Sequence, residues 1–286
     1  MTAMITLEID GKAIEVASGT SIIAAADELG VYIPRYCYHK HLSVAANCRM
    51  CLVEVAGVGK PLPACATPVS QDMKVFTQST KALDAQRVVL EFLLVNHPLD
   101  CPICDQGGVC ELQDFALGYG RPYSYFNESK HSVCSEDIGP LVDTWMNRCI
   151  KCTRCVRFGE EIAGVRELGV VQRGGEAEIA TYIGKFVNSE LSANITDICP
   201  VGALTVKPSR YQARNWELKE VPGVALHDCV GSNIYWHMRS FQTHPARQVM
   251  SVVPRENSKI NQTWLSDRDR FSYCGLSHAD RVYEPQ

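Results

Sequence analysis

Several familiar signatures are missing from this sequence, and each absence removes a class of function. No Gly-rich dinucleotide fingerprint, phosphate loop or Ser-His-Asp grouping is present, so the enzyme classes that announce themselves by such motifs are set aside. Neither sign of charge is in excess: 28 Lys and Arg stand against 32 Asp and Glu, a net charge of -4. That balance argues against general nucleic-acid binding, although it permits a local basic patch. No apolar run reaches membrane-spanning length; the best, Val88 to Val95, is short and contains Glu91. Met1 to Ile5 has no basic n-region or apolar h-region, so no secretory leader is expected, and no Arg- and Ser-rich transit segment is present. Hydrophobic residues at 46% and charged residues at 21% are ordinary for a globular chain, and 286 residues suit two to four small domains.

Cysteine, by contrast, is abundant, with fourteen in the chain. With no secretory leader expected, such a number points to metal or redox chemistry rather than to disulfides. A Cys-x2-Cys-x2-Cys run also cannot pair locally without leaving one thiol over. Twelve candidate ligands fall into three sets of four: Cys37, Cys48, Cys51 and Cys65; His97, Cys101, Cys104 and Cys110; and Cys149, Cys152, Cys155 and Cys199.

The first set lies in a segment whose pattern is legible. Ile5, Leu7 and Ile9 alternate with polar residues, Asp10-Gly11 is a hairpin pair, and Ala13 to Val16 returns as a strand. Thr20 or Ser21 caps a short helix ending near Gly30, and strands over Leu52–Val55 and Met73–Phe76 follow the cysteine loop. Hairpin, helix, ligand loop and strand describe a β-grasp, the fold of plant-type ferredoxins. A separated cysteine, a Cys-x2-Cys pair and a remote fourth fit a [2Fe-2S] site, with a longer first gap than those ferredoxins have. Zinc also uses Cys-x2-Cys pairs and stays open on spacing alone.

Lys81 to Asn96 reads as a helix with a broad apolar face of Leu83, Val88, Val89, Phe92, Leu93 and Val95. Pro98 stops it at His97. A cationic histidine suits a helix C-terminus. Standing four residues before Cys101-x2-Cys104-x5-Cys110, however, His97 reads as a fourth ligand. Gly107 and Gly108 would let backbone approach a cluster and donate amides to its sulfides. Glu111 to Leu117 reads as a short helix, and 118–143 as a Gly-, Pro-, Tyr- and Ser-rich connection in which Cys134 has no partners at ligand spacing.

The third set, Cys-x2-Cys-x2-Cys with a distant Cys199-Pro200, is the pattern of a [4Fe-4S] cubane. Positions 156–198 hold no cysteine, so a single cluster is expected there. Arg148, Lys151, Arg154 and Arg157 alternate with these cysteines. Solvated surface charge is the default for each, and as a group they favour the reduced form of an anionic cluster. From Trp216 the tail mixes strand-like runs, such as Gln248 to Val253, with turns, and carries only Cys229 and Cys274.

With the three sets assembled, the chain resembles the N-terminal part of the large iron–sulfur subunit family of respiratory complex I (NADH–quinone oxidoreductase). The resemblance runs over nearly the whole chain. It is most specific at His97-Pro-Leu-Asp-Cys-Pro-Ile-Cys-Asp-Gln-Gly-Gly-Val-Cys-Glu-Leu-Gln-Asp114 and Met146-Asn-Arg-Cys-Ile-Lys-Cys-Thr-Arg-Cys155. It implies one [2Fe-2S] cluster on the first set and one [4Fe-4S] cluster on each of the others. It also implies an α+β multidomain protein. The divisions would be a [2Fe-2S] ferredoxin domain (1–80), a His(Cys)3 [4Fe-4S] domain (81–120) and a ferredoxin-like [4Fe-4S] domain (121–215). A β-rich module like the start of molybdopterin oxidoreductases (216–286) would follow. A further cluster of many bacterial members would use positions that read Leu226, Cys229, Asn233 and Ser266 here, so neither a fourth cluster nor molybdopterin is expected. Family members continue for several hundred residues, so the chain is expected to be a fragment or a short member. The implied partners are the NADH/FMN-binding subunit and the quinone-proximal iron–sulfur subunits. No nucleic acid and no membrane insertion are implied, and the implied location is the cytoplasmic face of a bacterial inner membrane. The diaphorase subunit of an NAD-linked hydrogenase or formate dehydrogenase shares the first modules, and a zinc-stabilised interaction protein is the reading from a different class.

Overall fold

The computed structural model describes residues 3–239 and 249–282. The alternating N-terminal run forms β1 (Met4–Ile9). Asp10 and Gly11, at φ of 47° and 81°, turn it into β2 (Lys12–Ala17). Two left-handed residues match the right-handed twist of a tight hairpin, and the strands pair antiparallel from Met4↔Ala17 to Ile9↔Lys12. The Ser21 hydroxyl accepts from the Ala24 amide and starts α1 (Ile22–Glu28), whose Ile22, Ile23, Ala25 and Ala26 are buried. A long loop leads to β3 (Leu52–Val55), β4 (Leu62–Pro63) and β5 (Met73–Phe76). The sheet order is β2-β1-β5-β3-β4, with β1 and β5 parallel at its centre. Leu7, Ile9, Ile23, Val53 and Val75 form the core between sheet and helix, and Cys51 and Cys65 belong to it.

Ser79 caps α2 (Thr80–Leu94) by accepting from the Ala82 amide at 3.2 Å. Its buried stripe is Ala82, Gln86 and Leu90; of the face read from its apolar residues, Val89 and Leu93 pack against the core, whereas Phe92 is 75% exposed and Val88 46%. The helix turns Gln86 toward β3, where its amide donates to the Leu52 carbonyl at 3.0 Å. A 3-10 turn over Cys101–Ile103 leads to α3 (Glu111–Tyr119).

Past the long connection come β6 (Val142–Thr144), α4 (Arg154–Glu161), β7 (Leu168–Val171), β8 (Glu178–Thr181), α5 (Asn194–Ile198) and β9 (Leu204–Val206). β6 pairs with β9 and β7 with β8, giving two antiparallel ribbons around Phe158, Ile179, Ile195 and Leu204. β10 (Leu218–Val224), β11 (Asn233–Arg239) and β12 (Val249–Pro254) form a three-stranded antiparallel sheet. The strand-like run read from Gln248 therefore begins at Val249 in what is described, and Gln248 itself lies outside the described residues. α6 (Asp267–Phe271) fastens this tail to α5: Asp267 accepts from the Ser192 hydroxyl at 2.6 Å and the Ala193 amide at 2.9 Å. Among the described residues, no helix is long and apolar enough to cross a membrane.

Candidate metal centres

Each set of four lies on loops that fold back on regular elements, and among the described residues no group of three or more His, Cys, Asp or Glu side chains converges to hold a single metal ion. In the first set, Cys37 lies in the loop after α1, Cys48 and Cys51 lead into β3, and Cys65 follows β4. All four are buried. The thiols form a chain of hydrogen bonds: Cys37 with Cys48 and Cys65, and Cys65 with Cys51. That sharing pulls the Cys37 thiol down to about 2, lowers Cys51, and pushes Cys48 and Cys65 well up. The Cys37 amide also donates to the Cys48 sulfur at 3.4 Å.

In the second set, Cys101 opens the 3-10 turn, Cys104 closes it, and Cys110 precedes α3. Cys104 and Cys110 are buried while Cys101 is exposed. His97 is half-buried just past α2, and burial lowers its pKa to about 4, leaving a neutral imidazole. Its ring lies beside the Arg148 backbone. The helix-capping role falls to Lys130 instead, whose ammonium donates to the carbonyls of Leu94, Val95 and His97 at 3.1, 2.8 and 2.8 Å.

In the third set, Lys151 and Thr153 adopt left-handed conformations at φ of 55° and 61°. Such turns in non-glycine residues are costly and concentrate at functional sites. Here they fold the run so that Cys149, Cys152, Cys155 and Cys199 line a single cavity, with almost entirely apolar walls that include Met146, Ile150 and Val201. Backbone amides face the sulfurs: Lys151 toward Cys149 at 3.3 Å, Arg154 toward Cys152, and Val201, Ala203 and Leu204 toward Cys199. Burial pushes Cys149 and Cys199 to about 11 and Cys152 to about 12, so binding a metal here must displace protons.

The three sets share walls. Cys37, Cys48, Cys110 and Cys152 belong to one buried cluster with Tyr36, Met50, Leu90, Phe115 and Val201, and Cys149 and Cys199 pack against it. The Cys110 thiol lies 3.7 Å from the Pro200 carbonyl, and Gly202 faces the Cys104 sulfur with no room for a side chain. A separate cavity of about 590 Å³ between the Asp105–Val109 loop, β9 and the C-terminal sheet is lined by none of the twelve ligand candidates.

Two expectations about supporting residues change. Arg148, Arg154 and Arg157 are buried rather than solvated: α4 folds beneath the 37–48 loop, where Arg154 and Arg157 find carbonyl acceptors, while Arg148, ahead of α4, turns to Asp100 and the Gly202 carbonyl. Arg148 donates to Asp100 Oδ2 at 3.0 and 2.7 Å and stacks over Trp145. Lys151 alone is exposed, donating to the Gly175 carbonyl. The amides of Gly107 and Gly108 do not face sulfur; they donate to the Cys104 carbonyl and the Gln113 side chain, at 3.0 and 3.2 Å. These glycines make room instead, since a Cβ on Gly107 would meet the Cys101 and Cys104 carbonyls and one on Gly108 the Trp216 ring. Gly202, Asp100, Lys130 and Arg214, which donates to the Cys104 carbonyl at 2.6 Å, were not singled out from sequence. Only Gly202, two residues past Cys199-Pro200, carried a local signal.

Four protein families match successive stretches. Residues 2–80 match a 2Fe-2S iron-sulfur cluster binding domain, and 86–124 an NADH-ubiquinone oxidoreductase-G iron-sulfur binding region. Residues 139–205 match an NADH-quinone oxidoreductase subunit 3, ferredoxin-like domain, and 218–274 an NADH-ubiquinone oxidoreductase NDSU1/NuoG-like, 4Fe-4S domain. The chain is 51% identical over 273 residues to the NADH-ubiquinone oxidoreductase 75 kDa subunit of Reclinomonas americana, covering 96% of this chain and 39% of that one. It is 48% identical to a subunit of the NADH-quinone oxidoreductase of Rickettsia felis, covering 96% and 40%. It is 50% identical to the mitochondrial NADH dehydrogenase [ubiquinone] iron-sulfur protein 1 of Solanum tuberosum, covering 99% and 37%. The chain thus spans about two fifths of the length of these relatives. Among solved structures, a chain of an NAD+-reducing [NiFe]-hydrogenase aligns with a TM-score of 0.67 at 29% identity, covering 74% of this chain and 92% of that one.

Proposed function

Since the chain belongs to the family of the NADH–ubiquinone oxidoreductase 75 kDa subunit and its NADH–quinone oxidoreductase counterparts, matching their N-terminal region, we propose that it is an iron–sulfur electron conduit. The observation that carries this reading is the shared buried cluster, which puts thiols of all three sets into one continuous apolar medium. We assign Cys37, Cys48, Cys51 and Cys65 to a [2Fe-2S] cluster in a β-grasp domain. His97, Cys101, Cys104 and Cys110 are assigned to one [4Fe-4S] cluster, and Cys149, Cys152, Cys155 and Cys199 to another. The third set tests the fit: four thiols lining one almost entirely apolar cavity, ringed by backbone amides, suit a thiolate-bound metal group. When bound, the clusters would supply reversible one-electron capacity. The chain's own residues hold the thiols at fixed places, keep water from most of them, Cys101 excepted, and set the surrounding field.

The domain divisions at 80, 120 and 215 follow the same reading. The last module matches a family described as a 4Fe-4S domain, yet its donor set does not fit a fourth cluster. Leu226 is 79% exposed, Asn233 is buried among hydrogen bonds, and Ser266 is committed to capping α6, which leaves Cys229 alone. The partners are the NADH/FMN-binding subunit and the quinone-proximal iron–sulfur subunits, in a peripheral arm at the cytoplasmic face of a bacterial inner membrane. The hydrogenase likeness supports a second reading, the diaphorase subunit of an NAD-linked hydrogenase, over a smaller share of the chain and at lower identity than the complex I relatives.

Iron and sulfide analysis with low-temperature EPR of the dithionite-reduced protein tests the assignment. About ten irons and three reduced-cluster signals are expected. Two clusters only, or a colourless protein with about three zincs, overturns it.

A further inference from the structure

α4 carries two arginines one turn apart, and both are buried. Arg157 lies between two thiol sets. Its Nη2 donates to the carbonyl of Cys37 at 2.6 Å and to that of Cys152 at 3.3 Å, its Nη1 donates to the Ser43 carbonyl, and its Nε to the Thr153 hydroxyl. Arg154 reaches the chain neighbour of a thiol in every set. Its Nη2 donates to the Tyr38 carbonyl at 2.9 Å, and its Nη1 to the Ile198 carbonyl at 3.2 Å and the Glu111 carboxylate at 3.5 Å. Tyr38 follows Cys37, Glu111 follows Cys110, and Ile198 precedes Cys199.

The charges of this pair are poorly compensated by protein groups. Among the described residues, Arg157 forms no ion pair and only the exposed Glu161 carboxylate feels its charge from further off, while Arg154 has only the half-exposed Glu111. Burying a guanidinium without a counter-charge is expensive. Clusters bound through thiolates are anionic and would supply that charge, while the cations in turn favour the reduced clusters. The planar fork of arginine also fixes the relative placement of two loops in a way that a single ammonium does not.

We propose that Arg157 and Arg154 are positioning residues that lock the thiol sets to one another. Arg157 ties the first set to the third through the carbonyls of ligand residues themselves, and Arg154 ties all three through their neighbours. Each raises the midpoint potential of the centres it touches. This rests on the ligand assignment above.

The test uses the full chain with its clusters and reads three midpoints separately by EPR-monitored redox titration. R157Q lowers the first and third midpoints and leaves the second; R154Q lowers all three. R166Q, which removes an 80%-exposed cation following α4, moves none. R157K keeps the charge and returns the two midpoints toward the parent values. It nevertheless speeds amide hydrogen exchange in both the 37–48 and 149–155 loops, because the fork is gone. Unchanged midpoints in R157Q, equal shifts at all three centres in R157Q, or shifts in R166Q as large as those in R157Q overturn the proposal. Should R157Q fail to accumulate, R157K decides it, and exchange unchanged in either loop overturns it. A parent chain that binds no iron defeats the ligand assignment instead, so the two failures are told apart.

Discussion

A methyl group at position 202 has nowhere to go. An alanine Cβ there would overlap the Cys104 sulfur and come within 3.2 Å of Gln106 Cβ and 3.7 Å of Arg148 Cδ. Non-bonded heavy atoms of this size prefer to sit about 3.5–4.0 Å apart, so something must shift. In the metal-free chain the Cys104 thiol can swing away, at a cost of about 0.5–1.5 kcal/mol if it leaves its rotamer well. With that sulfur held as a ligand the escape is closed, and the Cys199–Gly202 backbone has to retreat. That backbone also carries Cys199 and the Pro200 carbonyl against which Cys110 rests, so the cost rises to the about 1–3 kcal/mol typical of an overpacked core. At about 2–4 °C per kcal/mol for a domain of moderate size, G202A should melt about 1–6 °C lower without metal and about 2–12 °C lower when loaded. Circular-dichroism melts of both forms, with iron counted per chain, make the comparison. The expected variant keeps its [2Fe-2S] signal and loses occupancy at the second set. A loaded G202A with full iron and an unshifted melt would show that the Cys104 sulfur is not held where the assignment puts it.

Three further perturbations probe other parts of the argument. In H97C a thiolate replaces a neutral imidazole and adds a negative charge, so the second set keeps its cluster at a lower potential; an unchanged midpoint in a redox titration contradicts this. D100N strands Arg148, which is buried and donates two hydrogen bonds to the Asp100 carboxylate. Breaking a buried pair costs about 3–5 kcal/mol, which we discount to about 1–3 because Asp100 is partly exposed and asparagine still accepts; the urea midpoint should fall with an unchanged slope. Although burial acts to raise the Glu161 carboxyl, hydrogen bonds from the Ser43 amide and hydroxyl hold it below its ordinary 4.5. Its folded pKa is therefore the lower one, so its stabilisation is complete above that ordinary value and is lost as pH falls through the folded value. S43A should flatten the acid limb of a melt-against-pH curve, and an unaltered limb counts against the contact.

What was legible in the sequence and what was not divide along physical lines. The β1–β2 hairpin could be read because Asp10-Gly11 is a local signal, and α2 because its apolar residues recur at helical spacing until Pro98 stops them. Which side of α2 is buried could not be read. Apolar residues surround the helix, and only the arrival of β3 selects the stripe containing Gln86. Twelve candidate ligands could be grouped because spacing along a chain limits which thiols meet. The arginines among them looked like surface charge, since their acceptors at Tyr38, Cys37 and Ser43 lie 114–120 residues away. Lys130, in a connection without periodicity, offered no clue that its ammonium closes the end of α2.

The 120 residues between Cys37 and the Arg157 that grips its carbonyl have a consequence for the order of events on the ribosome. At about 5–20 residues per second, that arginine is added about 6–24 s after the first cysteine. The N-terminal sheet, whose contacts are mostly its own, is complete by Phe76 and free to fold early. One wall of its thiol loop arrives only with α4. Nascent chains halted before residue 157 should therefore hold a folded sheet with an unclosed first centre, which makes maturation of that centre a late step although its ligands are translated first.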